Sequence, residues 1–112
     1  MGYRSDLTIA ITEEAFLKCI IDQPQGVKCL EEYADSKASL VHDGNSCVYY
    51  EINDIKWYAN YEDIAHINDM FDSLADHEYG IIRVGEDAGD IESSGSPWDF
   101  EIYVTTSINS PV

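Results

Sequence analysis

Apolar and polar positions alternate through Leu7-Thr-Ile-Ala-Ile11, the two-residue period of a strand with one buried face. Thr12 can then cap a helix whose first turn carries Glu13 and Glu14, where carboxylates oppose the positive end of the helix dipole. Phe16, Cys19 and Ile20 give that helix its apolar side. Asp22-Gln-Pro-Gln-Gly26 predicts a break, because proline and glycine together disfavour continuation. A second helical piece over 27–34 places Val27, Leu30 and Ala34 at helical spacing.

Asp43-Gly44, set between the run 39–42 and a second run starting at Cys47, predicts a hairpin. Residues 47–61 hold the densest set of aromatic and β-branched side chains, and read as the central strand of a small sheet. Val48, Tyr50 and Ile52 share one parity, whereas Ile55 and Trp57 share the other. One extra residue at Asn53-Asp54, a bulge or tight kink, would return all five to one face.

Asn60 predicts the cap of a helix over 61–75, with Glu62 and Asp63 in its first turn and Ile64, Ile67, Phe71 and Leu74 forming one stripe. Residues 78–85 read as a strand with apolar side chains on both faces, hence an interior strand. Residues 85–97, rich in glycine, serine and carboxylate, read as a loop. A last strand is expected over 98–105, with Trp98, Phe100, Ile102 and Val104 inward, followed by a loose tail.

This order predicts an α+β domain spanning 1–112: a single-layer mixed or antiparallel sheet of about five strands with two to three helices on one face. A split β-α-β or ferredoxin-like arrangement with an added terminal strand is the nearest description.

Charge alters the picture more than composition does. Against 22 aspartates and glutamates stand 6 lysines and arginines, a formal net charge of −16. Residues 1–50 contribute −4 and residues 51–112 contribute −12, with Lys56 and Arg83 the only bases in the second half. Such a field repels nucleic acid and anionic membranes and attracts basic surfaces, so no direct nucleic-acid or membrane partner is expected. At 45% hydrophobic residues the chain can still build a core, which separates it from a disordered acidic tail. No apolar run approaches the ~20 residues that span a bilayer, and the opening lacks the apolar core of a secretory signal, so a cytoplasmic protein is expected.

No catalytic signature emerges. His42 and His66 fall in different elements and His77 lies in a turn, so no nucleophile is paired with a base by spacing. Cys19, Cys29 and Cys47 match no zinc pattern and sit among apolar neighbours, as buried reduced thiols do. The carboxylates of 85–97 lack the alternation of a calcium loop, which leaves weak adventitious binding at most. Gly80, Gly85, Gly89 and Gly95 follow no phosphate-cradling spacing and read as turn residues. A non-enzymatic protein without a cofactor or resident metal is the expectation.

What remains is the acidic surface, with two readings. In one it is a solvated face that serves solubility. In the other, Glu62, Asp69, Asp72 and Asp76 on the helix, with Glu86, Asp87, Asp90 and Glu92 in the loop, imitate nucleic-acid phosphates and occupy a basic protein, a nucleic-acid-binding enzyme being the natural target. Tyr49, Tyr58, Tyr61 and Tyr103 are the uncharged anchors available to such an interface.

The blocks Gly2-Tyr-Arg-Ser-Asp6, Ile55-Lys-Trp-Tyr58, Tyr79-Gly-Ile-Ile-Arg-Val-Gly-Glu-Asp87 and Phe100-Glu-Ile-Tyr-Val104 resemble segments of small acidic proteins encoded by bacteriophages. The resemblance touches both ends and the middle, about half the chain, through blocks that are each short. It implies a phage or prophage origin and brings no established activity with it. Small phage proteins often bind and block a host machine, so the resemblance favours a basic host protein as partner in an anti-defence or host-takeover role. The alternative is an accessory or self-associating phage protein, a homodimer for instance, whose acidity only keeps it in solution.

Overall fold

The sheet is centred on β1 (Ser5–Thr12), whose Leu7, Ile9 and Ile11 point into one core while Ala10 is fully buried in a second core on the opposite face. In the computed structural model, which describes residues 3–42, 44–87 and 89–100, β1 lies between β3 (Asn45–Ile55) and β4 (Tyr79–Gly85). The edges are β2 (Ser36–His42), beside β3, and β5 (Ile91–Gly95), beside β4. All four pairings are antiparallel, in the order β2-β3-β1-β4-β5. The aromatic stretch expected at the centre is therefore displaced by one position. Small Ala10 lets β1 be covered on both sides, whereas Tyr49 of β3 is only half-buried.

Three helices, α1 (Glu13–Asp22), α2 (Pro24–Tyr33) and α3 (Glu62–Asp72), pack on the face carrying Leu7, Ile9 and Ile11. The fold is α+β, as the pattern predicts. β1 and β2 run parallel with β3 between them, and β3 and β4 run parallel with β1 between them, because every neighbour pair is antiparallel. These are two interlocked split β-α-β units, the element order of a ferredoxin-like core, extended by α2 and β5.

The parity break in β3 is resolved as expected. Pairing moves from Leu7↔Ile52 to Ser5↔Ile55, so β3 spends one residue more than β1 over this step. Asp54 takes φ 58°, and its N–H donates to Asp6 Oδ1 at 2.7 Å. Ile55 and Trp57 consequently join Val48, Tyr50 and Ile52 on one core.

Thr12 caps α1 by accepting the Ala15 N–H at 3.2 Å, and Phe16 and Cys19 are buried. Ile20 departs from expectation: Ala15, Phe16 and Cys19 define the inward face, leaving Ile20 exposed beside Leu17 and Ile21. The proline-glycine break is shorter than anticipated. Only Gln23 separates the helices, because Pro24 opens α2 at the first helical position, where a missing N–H is harmless.

Gly26 lets α2 lie against α3. A Cβ there would come within 2.7 Å of both His66 O and Met70 Cβ. Gly26→Ala is therefore expected to destabilise the domain by about 1–3 kcal/mol through overpacking, read as a lowered midpoint in denaturant unfolding; an unchanged midpoint would show the two helices free to part.

α3 buries Ile64, Ile67, Met70 and Phe71, and Leu74 just beyond its end is also buried. It is shorter than the predicted 61–75, and its cap position is Tyr61 rather than Asn60, with no side-chain capping bond. β4 is interior, as both-face burial predicts.

Two expectations at the end of the chain fail. Within the supposed loop, β5 pairs with β4 from Gly80↔Gly95 to Val84↔Ile91, although it buries no side chain. Gly95, at φ 70°, sits where a Cβ would fall 2.3 Å from Tyr79 O, so the ladder closes only with glycine there. The next residues form a 3-10 turn, Pro97–Phe100, rather than the start of a strand. Phe100 inserts into the second core beside Ala10, Cys47 and Ile82, and Trp98 is 59% exposed instead of inward. Expected strand residues 101–105 and the tail lie outside the described residues.

Candidate functional site

A cleft of about 580 Å³ opens on the helix-bearing face, between α3 and the β4-β5 ladder. Four separate segments wall it. Tyr3 precedes β1; Trp57, Tyr58 and Ala59 follow the β3 bulge; Asn68, Phe71 and Asp72 come from the last turns of α3; Tyr79, Ile81, Arg83, Asp90, Glu92 and Ser94 come from β4, β5 and their turn. Antiparallel register explains the last group, since Arg83 lies opposite Glu92 and Ile81 opposite Ser94.

Arg83 is the floor of this cleft. Its side chain is 13% exposed and its donors are spread over three partners: Nε to Glu92 Oε1 at 2.8 Å, Nη2 to Asp90 Oδ1 at 2.8 Å and Nη1 to Ser5 Oγ at 2.8 Å. Burial opposes its charge, but the Asp90 and Glu92 carboxylates more than offset this and raise its pKa. Asp90 also accepts the Tyr3 hydroxyl at 2.5 Å, and that hydroxyl accepts the Asp87 N–H at 2.9 Å. The Tyr3 bond, then Arg83, hold the Asp90 carboxyl below its ordinary 3.8.

A depressed carboxyl contributes stability that is complete above its unfolded pKa and disappears as pH falls through the folded value. Asp90→Asn should therefore flatten the loss of stability expected as pH falls below about 4, measured by urea unfolding at stepped pH; an unaltered slope would remove Asp90 from the acid response.

The aromatic lining is held by contacts among its own members and with Tyr61 beside it. Tyr79 stacks on Phe71 with centroids 5.1 Å apart, and Tyr58 meets Tyr61 edge-on at 5.2 Å. Tyr58 Oη accepts the Tyr3 N–H at 2.6 Å, tying the chain start to the loop after β3.

The eight acidic residues singled out from sequence fall into three groups. Asp72, Asp90 and Glu92 line the cleft. Glu62, Asp69 and Asp76 are exposed on or just beyond α3, with His66 Nε2 3.9 Å from Glu62. Glu86 and Asp87 occupy the β4-β5 turn, where Glu86 accepts the Arg4 N–H at 2.6 Å. Asp90 and Glu92 are thus matched to an internal cation, contrary to the expectation of a free acidic loop. Among the described residues no lysine or arginine lies within ion-pairing distance of Asp69, Asp72 or Asp76.

Of the tyrosines expected as anchors, Tyr58 lines the cleft and Tyr61 is exposed beside it. Tyr49 faces the opposite side, its hydroxyl donating to Phe100 O at 3.2 Å, and Tyr103 lies outside the described residues. Tyr3, Trp57 and Tyr79 were not anticipated as site residues; the aromatic density of 55–58 was the one signal pointing there.

Cys19, Cys29 and Cys47 are free and buried, each thiol pKa raised chiefly by burial. Among the described residues no group of three or more His, Cys, Asp or Glu side chains converges as a metal site, and no helix is long and apolar enough to cross a membrane. Comparison with protein-family models, with curated proteins and with solved structures returned no match.

Proposed function

We propose that this chain is a non-enzymatic, phage-type protein that binds and inhibits a basic host protein through an acidic surface imitating nucleic acid. One observation carries the reading. Asp69 and Asp72 stand in the last turn of α3, a turn without any basic side chain, where the negative end of the helix dipole disfavours carboxylates. Selection for stability alone would place lysine or arginine there. Asp76 extends the same unneutralised run past the helix end, and Glu62 lies two turns back along it, about 10 Å away at 1.5 Å per residue. Fixed carboxylates on a packed helix suit the lysines and arginines of a nucleic-acid enzyme, with association that is steered at low salt and weakened at high salt.

Affinity capture from bacterial lysate tests this. Recovery of a basic nucleic-acid-binding enzyme at low salt and its loss at high salt is the expected result. No protein enriched at low salt would contradict it.

A second reading, self-association, is favoured by β2. This edge strand, Ser-Lys-Ala-Ser-Leu-Val-His, contains no carboxylate, exposes Leu40 and Val41, and is bordered only by β3 among the described residues. Open edges invite pairing with a second copy. A monomer by analytical ultracentrifugation at low and high salt would exclude it.

A further inference from the structure

The geometry points to the cleft between α3 and the β4-β5 ladder as a socket for a planar organic cation, namely an arginine side chain of the basic partner. This rests on the reading above and locates the contact within it.

Charge selects the ligand class. Asp72, Asp90 and Glu92 are set against the single guanidinium of Arg83, leaving two negative charges in the cleft. Arg83 is committed to Asp90, Glu92 and Ser5, so it offers little to an incoming anion. Asp72 is exposed at the rim and has no cation partner among the described residues. An anionic guest would meet this carboxylate and the field of a chain at −16; a cation meets an unpaired acceptor.

The lining selects a flat cation. Trp57, Tyr58, Tyr3 and Tyr79 supply aromatic surface, and a guanidinium can lie on a ring while its fork reaches a carboxylate at the ring's edge. Ser94 and Asn68 add neutral polar groups at the walls. At about 580 Å³ the cleft lies within the range of sites that enclose a small ligand, about 300–1,000 Å³, so it admits a whole arginine side chain. The protein already uses this combination internally. Lys37 Nζ sits 5.3 Å from the Phe16 centroid and 5.6 Å from that of Tyr50, and pairs with Glu31 at 2.8 Å.

The test is an NMR titration of the intact chain with N-acetyl-arginine methylamide, following the indole N–H of Trp57. Its neutral counterpart, N-acetyl-citrulline methylamide, serves as the comparison. A saturable Trp57 shift with the arginine probe, at least about tenfold weaker with citrulline, is expected, and Asp72→Asn should weaken arginine binding about three- to fivefold, the worth of one exposed charge pair. Equal shifts with both probes, or none with arginine, would overturn the socket. Trp57→Leu, confirmed folded by its unfolding midpoint, should also reduce capture of the basic partner.

The two claims fail separately. Capture from lysate without an arginine-induced Trp57 shift sinks the socket and leaves the acidic-surface reading standing. A Trp57 shift without any captured partner does the reverse.

Discussion

Arg83→Leu is expected to lower the unfolding free energy by about 2–4 kcal/mol, the loss of three hydrogen bonds from a largely buried guanidinium, two of them to carboxylates of which Glu92 is largely exposed. The midpoint of thermal unfolding should fall by about 10 °C or more for a domain of this size. The guanidinium holds three things at once: the β5 edge through Glu92, the β4-β5 turn through Asp90, and Ser5 at the start of β1. Without it Asp90 and Glu92, two residues apart on the same segment, repel each other at the start of a strand that buries no side chain. Amide exchange should therefore rise first in β5 and then at Tyr3, whose hydroxyl depends on Asp90. Arg83→Lys, which keeps the charge and loses the fork, should fall between wild type and leucine. A leucine variant as stable as the parent would show that the network contributes nothing net.

Reversing Asp69, Asp72 and Asp76 to lysine is expected to weaken capture of the basic partner about 100-fold or more and, unusually, to leave the fold more stable. The loss follows from exchanging attraction for repulsion at three exposed positions facing a positive surface. The gain follows from placing cations at the C-terminal end of α3, worth about 0.3–1 kcal/mol each at low salt for those in its last turn. Opposite signs for binding and stability distinguish function from bookkeeping of charge. If both stayed unchanged, these carboxylates would be a solvated face and nothing more.

How far the chain could be read ahead of its structure depends on where burial speaks. The bulge at Asn53-Asp54 was legible because five apolar residues changed parity there, and only an inserted residue reunites them. The Thr12 cap and the α3 stripe were legible for the same reason, since each ties a local signal to a buried face. β5 was not, because none of its side chains is buried; backbone pairing with β4 and the Arg83-Glu92 bond hold it. Trp98 misled, since alternation with Phe100 imitates a strand while the 3-10 turn buries Pro97 and Phe100 and leaves Trp98 exposed.

The cleft was illegible for a related reason. Its walls come from four segments that meet only once β5 is paired and Tyr3 is bonded to Asp90. Sequence identified Asp72, Asp90 and Glu92 as acidic candidates, but could not show that Arg83 would pair with two of them or that the third would stand at the rim of a cleft with aromatic lining. The negative surface is consequently narrower than composition implies in the β4-β5 region, whereas α3 and its continuation at Asp76 keep exposed carboxylates without a lysine or arginine partner among the described residues.

The most direct test of that surface as a nucleic-acid imitation is competition on the captured partner: bind the purified partner to labelled duplex DNA, add this protein, and follow release of the DNA. Stoichiometric displacement, undone by excess DNA and by salt, is the predicted result. A ternary complex in which DNA and protein stay bound together would contradict it.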